Sequence, residues 1–150
     1  MLSIRRGLTT TIGIGSFHEG VFGLKRTYQQ AVEAITVGKK LSGSGKIYSY
    51  EDLSLGITVN SLPRDYKHRY IQHFEEQKNL SNLLDDTLRE TLEKLFDSSF
   101  NISETARLLF IHRNTLLYRL EKINKITGLN PVHFNDALQL KMYVMIKKLL

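Results

Sequence analysis

The feature that most constrains the fold is a short helix, a tight turn and a second helix, all encoded between residues 101 and 128. Asn101 and Glu104 have the spacing of a capping box, in which two side chains satisfy backbone N–H groups at a helix start. A second helix is predicted to begin near Arg113 and to end at Gly128, because glycine favours the left-handed conformation that closes a helix. These lengths are typical of a helix-turn-helix, whose second helix enters the DNA major groove.

The apolar positions of this segment predict how the two helices pack. Ala106 is small where the helices must cross closely, and Ile111 is apolar in the connection, where it can fill the space between them. The buried face of the second helix is expected to contain Leu116, Leu120 and Ile123. The remaining positions of that helix then face outward.

The outward side of the second helix carries the side chains that DNA recognition needs. Arginine can donate two hydrogen bonds to guanine, asparagine can pair similarly with adenine, and hydroxyls suit phosphate oxygens. The candidate DNA-binding residues are His112, Arg113, Asn114, Thr115, Tyr118, Arg119 and Lys122. For single residues a structural role stays open, since His112 or Asn114 could only cap the helix. Arg119 could pair with a carboxylate such as Glu104 or Glu121.

The distribution of charge favours a polyanionic partner. The chain has a net charge of +6, and residues 101–150 contain eight Lys and Arg against three Asp and Glu. A basic balance alone is common in proteins that bind no nucleic acid, so its concentration at one end is the more informative observation. The absence of cysteine excludes disulfides and Cys-ligated zinc and suits a cytoplasmic location. No apolar run reaches the ~18 residues of a membrane span, so no membrane partner is expected.

Residues 1–60 have the pattern of a small α/β segment. A strand at 10–15, a helix at about 24–41 and a strand at 46–50 are predicted. The helix has apolar side chains at helical spacing, namely Leu24, Tyr28, Ala31 and Ile35. One helix and a few short strands bury little apolar surface. We therefore expect the chain to start partway through a larger domain.

A helical linker is predicted at residues 61–79, where Pro63 suits a first helical turn and the run from Glu75 to Asn79 is interpreted as a solvated joint. From residue 80 to about Asp97, leucines at intervals of three and four predict a core-facing helix.

The last predicted helix, from Phe134 to Leu150, is apolar on more than one face. This pattern fits a helix docked in a core and, equally well, a helix that contributes to a dimer interface.

The segment from Asn101 to Ile123 resembles the C-terminal helix-turn-helix of the PucR/CdaR family, bacterial regulators of purine catabolism and sugar-diacid use whose DNA-reading part is similar to that of Fis. The most specific part is the run His-Arg-Asn-Thr-Leu, followed by Tyr-Arg-Leu, at 112–120. Thr87-Leu88-Arg89 and Thr127-Gly128-Leu129 fit the same pattern. Residues 12–55 resemble the end of the degenerate GGDEF-like domain that precedes this helix-turn-helix.

This resemblance implies a DNA-facing surface formed by His112, Arg113, Asn114, Thr115 and Tyr118. Leu117 departs from the family pattern, which often has a polar or basic residue at that position, and it leaves the target sequence open. It could contact a thymine methyl or pack at the surface.

Two phosphate-binding patterns are incomplete. The run Gly43-Ser44-Gly45-Lys46 lacks the first glycine of a phosphate loop, since Lys40 stands there, and Ile47 replaces its Ser or Thr. We interpret this run as a turn between helix and strand. Gly13 and Gly15 are followed by His18 where a dinucleotide fingerprint needs its third glycine. The five histidines lack metal-ligand spacing. We expect no catalytic residue, cofactor or metal site.

The sequence thus predicts an α+β protein, with a truncated GGDEF-like α/β fragment at 1–60, the linker, and an all-α helix-turn-helix bundle at 80–150. The predicted function is that of a sequence-specific DNA-binding transcription regulator that is not an enzyme. Its expected partners are double-stranded DNA, a second copy of the chain in a homodimer and, for a regulator of this kind, RNA polymerase. The alternatives are a protein-interaction or dimerisation module and a nucleotide-sensing α/β domain with a helical tail.

Overall fold

The computed structural model describes residues 10–77 and 84–150. The described residues form the strands β1 (Ile12–Ile14) and β2 (Ile47–Ser49) and the helices α1 (Val21–Ser42), α2 (Ser54–Ser61), α3 (Arg64–Gln77), α4 (Asp86–Asp97), α5 (Ile102–Leu108), α6 (Arg113–Thr127) and α7 (Phe134–Leu149). The chain divides into two compact units, one ending at Leu62 and the other beginning at Pro63. The expectation of an α+β protein with a helical C-terminal part is confirmed, although the described residues are mostly helical.

The first unit is built around a two-stranded parallel sheet joined by α1. The register pairs Ile12 with Ile47 and Ile14 with Ser49. A Cβ atom at Gly13 would overlap the backbone carbonyl of Ala31, so α1 lies directly on the backbone of β1. Because side chains alternate along a strand, Ile12 and Ile14 point to the other face of the sheet and are about half exposed.

Helix α1 is longer than predicted, and the apolar side chains that predicted it are not all buried. Leu24 and Tyr28 are 76% and 70% exposed. The buried positions are instead Gly23, Ala34, Val37 and Gly38. Small residues face the sheet because the helix approaches it closely, as the ring of Tyr48 against Gly38 shows. Apolar residues at helical spacing predict a helix, but they do not show which face of that helix packs against the rest of the protein.

Helix α3, in the predicted linker, is packed into the second unit. The ring of Phe74 stacks on that of Tyr143 in α7, with 4.7 Å between the centroids. The Glu75 carboxylate accepts a hydrogen bond of 2.8 Å from the Tyr143 hydroxyl and forms an ion pair of 2.6 Å with Lys147. The interpretation of Glu75 as part of a solvated joint is therefore wrong, because it has two partners on α7.

Helix α4 begins at Asp86 and not near residue 80. The carboxylate of Asp85 accepts the N–H of Leu88 at 2.8 Å and so caps the helix start. Leu80 and Leu83, counted in the predicted stripe, lie outside the described residues. The later part of that stripe is confirmed, since Leu88, Leu92 and Leu95 are almost fully buried.

Helix α7 buries a broad face, as its sequence pattern predicts. Its buried residues include Ala137, Leu140, Tyr143, Val144 and Ile146. These residues belong to the hydrophobic core, which agrees with the first of the two roles considered for this helix. Phe134 and Leu138 are exposed.

Candidate nucleic-acid interface

Helix α5 begins with half of the predicted capping box. The side-chain oxygen of Asn101 accepts the N–H of Glu104 at 3.0 Å, as expected. The Glu104 carboxylate does not return to Asn101, whose N–H donates to the carbonyl of Ser98. It binds Arg107 instead, with a distance of 2.8 Å to Nε, and this hydrogen bond holds the pKa of Glu104 below its ordinary range.

The turn between α5 and α6 is a Schellman motif. Phe110 N–H donates to the Arg107 carbonyl at 3.1 Å, and Ile111 N–H donates to the Ala106 carbonyl at 3.0 Å. The motif needs a left-handed residue after the helix end, and Phe110 supplies it with φ 54°. Ala106 is buried, which agrees with its predicted place between α5 and α6, and Ile111 is half-buried.

Helix α6 is held at both ends by the residues that the sequence indicated. The Nδ1 atom of His112 accepts the N–H of Asn114 at 3.2 Å, so His112 is the N-cap. Gly128 closes the helix in the left-handed conformation, with φ 67°. The predicted buried face is confirmed, with Leu116 and Ile123 fully buried and Leu120 nearly so.

The first turn of α6 presents polar side chains that are free to bind a ligand. Arg113, Asn114 and Thr115 are all exposed. Within residues 10–77 and 84–150, none of these three side chains forms a hydrogen bond or an ion pair. Tyr118, one turn later, is 67% exposed. These residues form one continuous surface at the N-terminal end of the helix.

Arg119 differs from these residues because its side chain has a partner within the domain. It is half-buried and donates a 3.3 Å hydrogen bond to the hydroxyl of Thr91 in α4. The two carboxylates considered as its partners are engaged elsewhere, Glu104 with Arg107 and Glu121 with Lys125. Arg119 therefore connects α6 to α4.

Lys122 has a partner, as Arg119 does, but its side chain stays in contact with water. Its ammonium is 3.8 Å from the Asp85 carboxylate, and both side chains are about half exposed. An ion pair of this length in contact with water contributes little stability. Lys122 can therefore exchange Asp85 for a phosphate at small cost.

Lys125 was not among the predicted DNA-binding residues, although it shares the outer face of α6 with Tyr118 and Lys122. Its side chain is 74% exposed and pairs with Glu121, whose hydrogen bond raises the pKa of Lys125. Residues 118, 122 and 125 are spaced by four and three, so they share one helix face, and this spacing could have indicated Lys125 from the sequence. Phe110, in the turn, was likewise not among the predicted DNA-binding residues.

Leu117 is 44% exposed. It lines an open groove of about 500 Å³ together with Phe100, Ile102 and Val132.

None of the helices among residues 10–77 and 84–150 has the length and apolar character that a membrane span requires. In the same residues, no cluster of three or more His, Cys, Asp or Glu could hold a metal ion.

Residues 88–146, which contain most of α4, all of α5 and α6 and most of α7, match the family model of the PucR C-terminal helix-turn-helix domain. The chain carries a PucR-type helix-turn-helix domain. The resemblance of the run at 112–120 to the PucR/CdaR family is thereby confirmed. Within the PucR-type domain, the exposed polar residues described above lie on α6, directly after the tight turn.

Curated relatives extend the similarity beyond the PucR-type domain. The carbohydrate diacid regulator of Escherichia coli is 33% identical over 130 residues, which cover 86% of this chain and 33% of that protein. The proline-responsive transcriptional activator PutR of Bacillus subtilis is 28% identical over 141 residues, 91% of this chain and 34% of that protein. The purine catabolism regulatory protein of the same organism is 25% identical over 146 residues, 95% of this chain and 27% of that protein. The chain spans about a third of the length of these relatives.

Proposed function

We propose that this chain is the DNA-binding part of a sequence-specific transcription regulator, with α6 as the recognition helix. The observation that carries the proposal is the unengaged set Arg113, Asn114 and Thr115 in the first turn of α6, within a segment that matches a helix-turn-helix family. The relatives support the role, since their names are those of transcription regulators and activators. On the same ground we infer that the chain is not an enzyme.

In the proposed complex the first turn of α6 enters the major groove. Arg113 reads a guanine through two donors, and Asn114 pairs with an adenine. The hydroxyls of Thr115 and Tyr118 and the ammonium of Lys122 bind phosphates, which fixes the position of the helix on the duplex. Arg119 acts indirectly, through its hydrogen bond to Thr91.

We further propose that the first unit is part of a GGDEF-like domain, with a domain of this kind at 1–60, a helical linker at 61–79 and the DNA-binding domain at 80–150. The parallel β1–α1–β2 arrangement supports this. Exposed isoleucines on the sheet face opposite α1 leave room for a further layer.

The regulator is proposed to act as a homodimer in the bacterial cytoplasm, where chromosomal DNA is read. One recognition helix presents few side chains to base edges, too few to select an operator among the many competing sites of a genome. Two copies related by two-fold symmetry, about 34 Å apart, would read a pseudo-palindrome. Activation, the role in the name of PutR, would also bring the chain next to RNA polymerase.

The test begins with the selection of bound sites from a random DNA pool, which reports both the operator and its symmetry. Affinity for the selected site and for random DNA is then measured over a salt series. We expect affinity to fall steeply as salt rises, since phosphate contacts release counterions. Arg113→Ala should weaken binding to the selected site by about 1–3 kcal/mol and bring it closer to binding of random DNA.

Arg69→Ala is the matched control, because Arg69 is an exposed arginine on α3 that pairs with Asp65. This variant should bind the selected site like the wild type. If Arg113→Ala also keeps wild-type affinity for both DNAs, α6 is not the recognition helix. A selected site without two-fold symmetry, bound by a single copy, would contradict the dimer.

A further inference from the structure

Phe110 combines a strained backbone conformation with an almost fully exposed aromatic ring. Its φ of 54° lies in the left-handed region, which glycine adopts freely and a bulky residue adopts only at a cost. The Schellman motif requires this conformation, so the strain cannot be relieved while the turn keeps its shape. The side chain is 96% exposed and so gains nothing from burial.

The position of this ring is adjacent to the proposed DNA surface. Phe110 comes two residues before His112, the N-cap of α6, and three before Arg113. Two exposed arginines flank it in the chain: Arg107 in α5, which pairs with Glu104, and Arg113 in α6, which has no side-chain partner among the described residues. A polyanion drawn to Arg113 is brought close to the aromatic ring.

We propose that Phe110 contacts duplex DNA at the edge of the groove that α6 enters, and that its ring packs on apolar atoms of the DNA. This inference rests on the proposed function. DNA offers two kinds of apolar atom there, the C5-methyl group of thymine and the carbons of deoxyribose. The contact buries the ring only in the complex, which accounts for an aromatic residue in a turn that glycine would stabilise more. Backbone strain next to a binding surface is a recurrent sign of such a role.

The test compares Phe110→Gly and Phe110→Ala with the wild-type chain on the selected site. Phe110→Gly relieves the strain, so its melting temperature should rise while its affinity falls about tenfold, the loss expected when the burial of one aromatic ring is removed. Phe110→Ala should lose a similar amount of affinity. Phe22→Ala is the control, because Phe22 is 90% exposed in α1 and lies outside the proposed surface, so its affinity should stay unchanged.

Replacing thymines by uracil, one at a time, distinguishes the two kinds of apolar atom. If the ring packs on a thymine methyl, one replacement should weaken wild-type binding about fourfold, the effect of one buried methyl group, and should leave Phe110→Ala unaffected. If the ring packs on deoxyribose, each replacement should affect the wild type and Phe110→Ala alike, while the tenfold loss persists.

A Phe110→Gly variant that binds the selected site as tightly as the wild type would overturn the proposal. If that variant binds normally but no longer supports transcription from a reporter promoter, the ring contacts a protein partner and the DNA contact is excluded. A wild-type chain that shows neither a preferred site nor a salt dependence would instead refute the proposed function, and this inference with it.

Discussion

Arg113 and Arg119 are arginines of the same helix with different surroundings. Arg113 is exposed and unpaired within the described residues, while Arg119 is half-buried against Thr91. The sequence predicted both as DNA contacts, because residue type and helical position are what a sequence contains. The partner of Arg119 lies on another helix, 28 residues away along the chain, and no local pattern points to it.

At this scale we predict that Arg119→Ala lowers stability and that Arg113→Ala does not. Loss of the hydrogen bond to Thr91 should cost about 1 kcal/mol of unfolding free energy. Denaturant unfolding of both variants measures the difference. In a Thr91→Val background, which lacks the hydroxyl, Arg119→Ala should cost less than in the wild type. Equal costs in the two backgrounds would show that this hydrogen bond contributes nothing.

At the scale of the element, a helix could be predicted from the sequence when several independent sequence signals pointed to it. Helix α6 has an N-cap, an apolar period and a terminal glycine, and its predicted bounds match Arg113–Thr127. Helix α2 was missed, since its eight residues include Gly56 and the β-branched run from Ile57 to Val59, which favours a strand. Helix α1 was found, but its covered face depends on how closely the strand approaches, and that is a tertiary property.

The crossing of α5 and α6 supports a second prediction. Ala106 is 5% exposed and is predicted to lie between these helices, so Ala106→Leu should overpack the contact and cost about 1–3 kcal/mol. Ser103→Leu places the same side chain on the exposed side of α5 and should change the melting temperature little. Thermal unfolding of the two variants compares them directly. An unchanged melting temperature for Ala106→Leu would mean that the helices do not meet at this residue.

For the molecule as a whole, the contact between α3 and α7 makes stability depend on pH. Partial burial acts to raise the pKa of Glu75, but hydrogen bonds from Lys147 and Tyr143 outweigh it, so the pKa lies below its ordinary value of 4.5. Burial and the hydrogen bond to Glu75 raise the pKa of Tyr143 above its ordinary value of 10.0, so the phenol keeps its proton at neutral pH. As the pH falls, Glu75 is protonated in the unfolded chain at a higher pH than in the folded protein. The stabilisation is therefore complete above pH 4.5 and is lost as the pH falls through the lowered pKa.

We therefore predict that Glu75→Gln lowers the unfolding free energy by about 1 kcal/mol at neutral pH and that this difference shrinks in acid. Melting temperatures of both proteins between neutral pH and acid test this. Glu76→Gln is the control, since Glu76 is exposed and, among the described residues, accepts its side-chain hydrogen bond from Gln72 of the same helix. Curves for wild type and Glu75→Gln that coincide at neutral pH would contradict the prediction.

The hydrogen bond by which His112 caps α6 also determines which DNA groups the other ring nitrogen of His112, Nε2, can bind. Because Nδ1 accepts the N–H of Asn114, that nitrogen must carry a lone pair, and the neutral ring then holds its proton on Nε2. An Nε2–H group can only donate. Against DNA it suits a phosphate oxygen, or N7 and O6 of guanine, and it is mismatched with the amino groups of cytosine and adenine. A side chain that could accept or donate as a free imidazole is thus restricted by its own helix to a single polarity.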